Sequence, residues 1–171
     1  MRKIKSILTI LSFVFVFSIA ASAQAVTLTS LDGEKVNVQA QKGKVVVLAI
    51  GASWLPLSTQ QAVSINKLAK KYAGRDVVFY FVMTDSTSIK SKNYADDDAI
   101  RKFAATNKLN VPILRDSDGA ITLKKFGIDQ LPSFVILGKD GKPATESYVG
   151  IDIDPKIDIT AAISQEIDEI L

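Results

Sequence analysis

The sequence predicts an α/β fold with a central mixed sheet, helices on both faces and an N-terminal β-hairpin extension. Three observations support this prediction. Two continuous apolar runs of strand length, "KVVVLAI" (44–50) and "VVFYFVM" (77–83), are typical of strands covered on both faces. A helical pattern between them completes a βαβ unit. Turn signals at Asp32-Gly33 and Asp140-Gly141, each flanked by strand-like segments, predict hairpins near both ends of the chain.

The first half of the chain contains a predicted hairpin over residues 26–38, in which "VTLTS" and "KVNV" form the strands. After the first buried run, Ser58 and Thr59 are the candidate N-cap residues of a helix that reaches about Tyr72. Gly74 then ends the helix. One face of this helix is apolar at the spacing i, i+3, i+4 and i+7, with Ile65, Leu68, Ala69 and Tyr72.

The second half begins with a polar stretch, residues 84–98, which we expect to loop outward. Its last three residues, Asp96 to Asp98, are expected to supply the N-cap and first-turn carboxylates of a helix that buries Ile100, Phe103 and Ala104. Gly127 is expected to end a later, short helix. The remaining predicted elements are a strand at 111–116, that short helix at 120–126, strands at 133–137 and 145–149, and a final helix with Ile159, Ile163, Ile167 and Ile170 on one face.

Residues 1–23 have the pattern of a secretory leader. Arg2, Lys3 and Lys5 precede an apolar run, and Ala21-Ser22-Ala23 has the small residues that signal peptidase recognises, with cleavage after Ala25 as an alternative. The run of about 14 residues is shorter than the roughly 20 that span a bilayer. We therefore expect an exported domain over residues 24–171, periplasmic or extracellular, without a stable membrane span after cleavage.

Charge and composition exclude several classes of function. The chain has 21 Lys+Arg and 18 Asp+Glu, and removal of the leader leaves 18 of each. A net charge of zero without a basic block does not predict a nucleic-acid partner. The chain has no cysteine and no histidine. Disulfides, thiol catalysis, the usual general base and the commonest transition-metal ligands are therefore absent, and we predict no catalytic residue, metal or cofactor.

The segment "GASWLPLSTQQ" (51–61) nevertheless has the features of an active-site loop, with a tryptophan, a turn proline and a helix start after a buried strand. Its serine is not expected to be a nucleophile, because the chain has no histidine to take its proton. We expect the Ser58 hydroxyl to cap the helix by accepting a hydrogen bond from an amide near Gln60 or Gln61.

Residues 26–171 resemble the thioredoxin fold, and in particular its exported TlpA/ResA-like branch, close to the AhpC/TSA redoxins. The resemblance rests on "LTSLDGEKVNV", "GKVVVLAIGASW" and "FGIDQLPSFVILGKDGK". It implies that the Leu131-Pro132 bond is cis and faces the active-site loop, so that the two together form a groove.

The resemblance also implies which functions have been lost. Active relatives carry Trp-Cys-x-x-Cys, and here the matching residues are Trp54, Leu55, Pro56, Leu57 and Ser58. The first cysteine must be a thiolate at a helix N-terminus, and the second must resolve the mixed disulfide. Neither Leu55 nor Ser58 can do this. Ala49 stands where thioredoxins carry a buried acid for proton transfer, and Gln61 where the ResA-like branch often has glutamate.

Three hypotheses follow. In the first, the domain is redox-inactive and binds an extended peptide or an envelope protein in the former active-site groove, between Trp54, the two leucines and Pro132. In the second, the chain descends from thiol-disulfide oxidoreductases or redoxins without a dithiol of its own. In the third, it is a structural envelope subunit that uses another surface, such as the 84–98 loop. The sequence does not predict an oligomeric state.

Overall fold

A single mixed sheet organises the computed structural model, which describes residues 25–149 and 158–171. The predicted leader lies outside the described residues. Within them, seven strands lie side by side in the order β2-β1-β5-β4-β3-β6-β7. The strands are β1 (Thr27–Ser30), β2 (Lys35–Asn37), β3 (Val45–Gly51), β4 (Val77–Met83), β5 (Ile113–Arg115), β6 (Ser133–Leu137) and β7 (Tyr148–Val149).

The middle of the sheet is parallel and its outer parts are antiparallel. Strands β3, β4 and β5 run parallel, and β6 and β1 pair antiparallel on either side of them. Hairpin partners β2 and β7 form the two edges. Parallel neighbours require long crossovers, which the helices supply. The carboxyl ends of β3, β4 and β5 consequently meet at one edge of the sheet, where the loops that follow them come together.

In the described part of the chain, four α-helices cover the two faces of the sheet. They are α1 (Pro56–Lys71), α2 (Asp97–Thr106), α3 (Thr122–Phe126) and α4 (Ile159–Ile170). One core lies between the sheet and α1, α2 and α4, and includes Phe81, Ile65 and Ile163. The other core lies on the opposite face, where α3 packs against residues such as Leu48 and Leu114. The predicted architecture, a mixed sheet with helices on both faces and an N-terminal hairpin, is confirmed.

Most predicted elements form where the patterns place them. Strands β4 and β6 have the predicted bounds, and β3 is shifted by one residue. Asp96 caps α2 as expected, because its side chain accepts a hydrogen bond from the Ala99 amide at 2.8 Å. Gly127 ends α3 in a left-handed conformation, with φ of 64°.

Other elements differ from the prediction at their ends. Helix α1 begins at Pro56, before the predicted cap residues, and ends at Lys71, one residue before the predicted Tyr72. Strand β5 retains three residues of the predicted 111–116, and α3 begins at Thr122 after a 3₁₀ turn at 117–119. Strand β7 has two described residues, 148 and 149, instead of the predicted 145–149. The chain also meets β6 earlier, at a bridge between Leu137 and Pro143 and through the Ala144 amide, which donates to the Ile136 carbonyl. These differences lie at the ends of helices and strands, where backbone hydrogen bonding to neighbouring segments, more than local propensity, decides which residue is the last.

Helices α1 and α4 are joined by a buried hydrogen bond and by an exposed ion pair. The Tyr72 hydroxyl donates to the Ser164 carbonyl at 2.9 Å, and Lys67 Nζ lies 2.8 Å from Asp158 Oδ2. Asp158 also caps α4, since its side chain accepts a hydrogen bond from the Thr160 amide at 3.0 Å. Within the described ranges, none of the helices combines the length and apolar character needed to cross a bilayer.

The acid stability of the domain should depend on Asp158. The hydrogen bonds from Lys67 and Thr160 lower the pKa of Asp158 from 3.8 to about 2. Because the folded-state pKa is the lower one, this stabilisation is complete above about pH 4 and is lost as the pH falls towards 2. At pH 7, Asp158→Ala should lower the free energy of unfolding by about 1–2 kcal/mol, since it removes a cap and an exposed ion pair.

Asp158→Asn provides the matched control, because asparagine caps a helix but carries no charge. Urea unfolding at several pH values should show a smaller loss for this variant at pH 7. The difference between wild type and Asp158→Asn should then disappear between pH 4 and pH 2. A difference that does not change with pH would show that the charge of Asp158 contributes nothing.

Candidate functional site

The loop of residues 52–55 lies at the carboxyl end of β3, directly before α1. Helix α1 begins at Pro56, with Leu55 as its N-cap residue and no side-chain hydrogen bond at the cap. The prediction that Ser58 or Thr59 caps this helix is therefore wrong. Proline suits the first helical position, because its φ is already helical and its missing N–H would have no partner there. This property of Pro56 outweighs the capping propensity of the two hydroxyl residues.

Ser58 is fully buried in the first turn of α1. Its Oγ accepts a hydrogen bond from the Ala52 amide at 3.1 Å. The expected bond from an amide near Gln60 or Gln61 is not what the structure shows; the hydroxyl bonds backwards to the start of the loop. This contact joins the two ends of the loop. Burial also leaves the Ser58 hydroxyl out of reach of a substrate.

Asp85 holds the loop from the neighbouring strand, and the sequence analysis did not identify it. Its carboxylate is fully buried and accepts hydrogen bonds from the Ser53 amide at 3.0 and 3.1 Å and from the Ser53 hydroxyl at 2.5 Å. Asp85 follows β4, which runs parallel to β3. An acidic residue placed directly after a buried strand, beside the loop of the parallel neighbour, was the signal available in the sequence.

Gln61 links α1 to two strands from a fully buried position. Its Nε2 donates to the Ser133 carbonyl at 2.8 Å and to the Ile50 carbonyl at 3.3 Å. Its Oε1 has no hydrogen-bond partner among the described residues. The side chain therefore acts as a donor to two buried carbonyl oxygens, which an ionised glutamate at this position could not do.

Ala49, the other residue at a predicted lost proton-relay position, is part of the apolar core. It lies in β3, fully buried, opposite Phe81 of β4 and Phe134 of β6. An ionised carboxylate at this position would lie among apolar side chains without compensation. The environments of Ala49 and Gln61 thus fit the uncharged residues that the sequence has.

The apolar residues of the loop are partly exposed. Trp54 is 50% exposed, Pro56 is exposed, and Leu55 and Leu57 are half-buried. A cleft of about 560 Å³ borders the loop on the side of α2. Trp54, Leu55 and Pro56 form its wall on the loop side, and α2 supplies Lys102 and Phe103. The residues that line this cleft do not include Leu131 or Pro132, so it extends from the loop in a different direction from the predicted groove.

The Leu131-Pro132 peptide bond is cis, as the resemblance implies. Pro132 is buried, and Leu131 is half-buried against the core on the α3 side of the sheet. The amide and carbonyl of Leu131 have no hydrogen-bond partner among the described residues. Gln61 connects the two parts of the site, since it bonds both Ile50, just before the loop, and Ser133, just after the cis bond.

At this site the apolar side chains are exposed or half-buried, and the polar side chains of Ser58, Gln61 and Asp85 are buried. The chain has no thiol and no imidazole, and its one serine at a former cysteine position is buried. The residues that could contact a ligand are the exposed Trp54, the half-buried leucines and the backbone at Leu131.

Comparisons with known proteins agree on one family. The sequence profile of the Redoxin family matches residues 19–162. The thiol-disulfide oxidoreductase ResA of Bacillus thuringiensis subsp. konkukian is 28% identical over 128 residues, which cover 75% of this chain and 68% of ResA. The thioredoxin-like protein YneN of Bacillus subtilis is 32% identical over 115 residues, 67% of this chain and 62% of YneN.

Solved structures show the same fold. A secreted disulfide oxidoreductase of Mycobacterium tuberculosis, homologous to DsbE of E. coli, superposes with a TM-score of 0.63 at 22% identity and covers 88% of this chain and 99% of its own. The exposed lipoprotein thioredoxin of Streptococcus pneumoniae superposes with a TM-score of 0.66 at 25% identity, covering 85% of this chain and 98% of its own.

Replacing the donor amide of Gln61 with a carboxyl group should make stability depend on pH. In Gln61→Glu the ionised carboxylate would face the Ile50 and Ser133 carbonyl oxygens in a buried site, which raises its pKa above the usual 4.3 or so. The raised pKa means that the variant is closest to wild type below about pH 4 and loses stability as the pH rises. At pH 7 we expect a loss of about 2–4 kcal/mol in the free energy of unfolding.

Gln60→Glu is the matched control, because Gln60 is the exposed neighbour on the same helix. Chemical unfolding of both variants and wild type at pH 4 and pH 7 makes the comparison. The control should stay within about 0.5 kcal/mol of wild type at both values. If Gln61→Glu is equally destabilised at pH 4 and pH 7, the assigned donor role of Gln61 is wrong.

Proposed function

Since the chain belongs to the Redoxin family, in its thioredoxin-like, ResA-like branch, and yet has no cysteine, we propose that it is an exported, redox-inactive binding module. It holds an extended segment of a peptide or of an envelope protein at the former active-site loop. Export is supported by the leader pattern of residues 1–23 and by the secreted and lipoprotein relatives among the similar structures.

The observation that supports this proposal most directly is the hydrogen bonding of the Leu131 backbone. Its N–H and C=O lack partners among the described residues, and it precedes β6 at the cis bond. An extended chain that pairs with this residue would satisfy both groups by strand addition. Trp54 would then provide aromatic contact area next to the added strand, at low entropic cost because its side chain has only two rotatable bonds.

The alternative of an active oxidoreductase conflicts with the chemistry of the chain. The names of the ResA relatives describe thiol-disulfide exchange, which needs an attacking thiolate and a resolving thiol. Leu55 and Ser58 stand at those two positions and provide neither. The supporting positions point the same way, because Ala49 is packed in the core and Gln61 donates hydrogen bonds.

Peptide binding can be measured with the protein's own fluorescence, because Trp54 is its only tryptophan and is half-exposed. Peptides without tryptophan or cysteine, selected by display on the immobilised protein, should shift its emission on titration, with micromolar Kd. Methylation of single peptide amides should weaken binding at least tenfold at the amide that pairs with Leu131 and little at its neighbours, because strand addition uses alternate amides.

Two variants localise the site by calorimetry. Trp54→Ala should weaken peptide binding about tenfold or more, as expected for a contact aromatic. Val63→Ala is the control, because Val63 is an exposed apolar residue on α1 that lines neither the loop nor its cleft. Equal binding by Trp54→Ala, Val63→Ala and wild type, with no preferred position for methylation, would refute the groove proposal.

Restoring the two thiols tests whether the site lacks only its reacting atoms. A cysteine in place of Leu55 would lie at the N-cap of α1, where the helix dipole and free amides lower thiol pKa values. The double variant Leu55→Cys/Ser58→Cys should therefore reduce insulin in the presence of a dithiol reductant, whereas wild type and both single variants show no turnover above background.

The single variant Ser58→Cys provides the stability control, since sulfur is a weaker acceptor for the Ala52 amide than oxygen. Unfolding of both variants shows whether the fold is intact. A folded double variant with no activity would mean that the loop geometry, and not only its thiols, has departed from that of the active relatives.

A further inference from the structure

Arg115, the last residue of β5, has a buried guanidinium group whose hydrogen bonds are incomplete. The side chain is 8% exposed. Nη2 donates to the Ala95 carbonyl at 2.8 Å. Nε and Nη1 are buried and have no hydrogen-bond partner among the described residues. Asp97 Oδ1 is 3.4 Å from Nε, close enough for charge attraction but without a hydrogen bond.

Such a group is costly for the fold. A guanidinium stays charged at all ordinary pH values and carries five N–H donors. Removing it from water without acceptors for those donors costs several kcal/mol. Asp97 compensates only partly, because its own side chain is 57% exposed and divides its interaction with water. The position therefore favours an additional acceptor beside Arg115.

A cleft of about 390 Å³ adjoins Arg115 at the same edge of the sheet as the active-site loop. It is lined by Arg115, Asp97 and mainly by the hydroxyl-bearing residues Thr29, Ser30, Thr87 and Ser117, with Leu31 and Gly33. No role was predicted for Arg115 or for the β1 residues, whereas Thr87 and Asp97 belong to the 84–98 loop named above as an alternative surface. It is separate from the loop cleft, because the two share no lining residue.

The Thr29 hydroxyl can donate a hydrogen bond beside Arg115, because the two residues are paired on the same face of the sheet. Thr29 Oγ1 accepts a hydrogen bond from Lys35 Nζ at 2.7 Å, which leaves its own hydrogen to donate. Lys35, which donates this hydrogen bond to Thr29, adds a second positive charge near the cleft. Ser30, the next residue of β1, points to the opposite face, and its Oγ accepts from the amides of Asp32 and Glu34 at 3.2 and 3.1 Å.

The other two hydroxyls are used within the wall. Ser117 Oγ donates to Asp118 Oδ2 at 2.8 Å and receives the hydrogen bonds of the Thr87 amide and hydroxyl at 3.0 and 3.1 Å. These contacts join the loop after β4 to the turn after β5. The wall is therefore built from hydrogen-bonded segments, with the remaining donors on the side of β1 and β5.

We infer that this cleft is a binding site for a small oxyanion, a carboxylate or a phosphate. The anion displaces the exposed Asp97 side chain from Nε and accepts hydrogen bonds from the Arg115 guanidinium and from the hydroxyl of Thr29, which is paired with Arg115 on the same face of the sheet. Charge-assisted bonds of this kind are the strongest that a guanidinium makes. When no ligand is bound, the Asp97 carboxylate pairs with the Arg115 guanidinium and therefore competes with the anion for it.

The inference does not depend on the proposed peptide groove. Thermal unfolding of the full chain, in increasing sodium phosphate or sodium acetate with sodium chloride to hold ionic strength constant, measures the binding. Either anion should raise Tm with a saturating dose dependence. A rise with phosphate alone identifies a phosphate site, and a rise with acetate alone identifies a carboxylate site. No rise with either anion overturns the inference.

Three variants test the residues. Asp97→Asn should bind the anion about fivefold more tightly, since a competing charge near 4 Å is removed. Arg115→Met should bind at least tenfold more weakly, because it loses the charged donors. Lys124→Met is the control, because it removes one positive charge from exposed α3, on the other face of the sheet, and should bind like wild type.

Two further comparisons keep the inference open to refutation if Arg115→Met does not fold. Thr29→Val keeps the shape of a half-buried side chain and should weaken binding several-fold through one lost hydroxyl. Amide chemical shifts of Ser30 and Thr87 should move with the same affinity as Tm. Unchanged affinity in both Asp97→Asn and Thr29→Val would show that any anion effect arises elsewhere on the protein.

Discussion

The contact between α1 and the end of β3 is the constraint on which the site depends. Gly51 lies directly under the helix, where a Cβ atom would be 2.4 Å from Gln61 Oε1 and 2.7 Å from Ser58 Oγ. Only glycine allows this approach without displacement of both side chains. In this close packing, Ser58 Oγ accepts a hydrogen bond from the Ala52 amide. Gln61 Nε2 donates hydrogen bonds to the carbonyl oxygens of Ile50 in β3 and of Ser133, the first residue of β6. Each bond satisfies a buried polar group, which would be costly to leave without a partner. The helix start, the loop and the cis bond are therefore held as one unit.

The positions that perform chemistry in dithiol relatives have structural roles in this chain. Leu55 precedes the first helical residue and lines the loop cleft, Ser58 closes the loop, and Ala49 packs in the core. Asp85 completes the unit, because its buried carboxylate holds Ser53 from the neighbouring strand. A redox site must allow a thiol to alternate between bonded and free states, whereas the bonds of Ser58 and Gln61 favour one arrangement. Trp54 and the backbone of Leu131 take no part in these hydrogen bonds.

Much of the fold could be predicted because a continuous run of apolar residues indicates a strand that is buried on both faces. The β4 and β6 segments are continuous apolar runs, and their bounds agree with the structure; the cap at Asp96 is a local interaction that the sequence contains in full. Predictions failed where a distant contact outweighed a local preference. Ser58 has the composition of a cap residue, but Pro56 starts the helix earlier and the hydroxyl meets Ala52 instead. Residues 145–147 belong to the predicted strand, yet in the described part of the chain β6 bonds to residues 143 and 144 before them and to residues 148 and 149 after them.

The sequence by itself determined the order of strands and helices, the position of the loop between β3 and α1 and the absence of any thiol or imidazole, since each of these is a property of composition or local pattern. Only the tertiary structure decided what the polar residues bond. Gln61 meets Ser133 across 72 residues of chain, and Ser53 meets Asp85 across 32. Arg115 gives no sign in the sequence that its guanidinium is buried beside β1 and α2. Hydrogen bonds and burial of this kind depend on which segments the folded chain brings together, and periodicity within one segment carries no information about them.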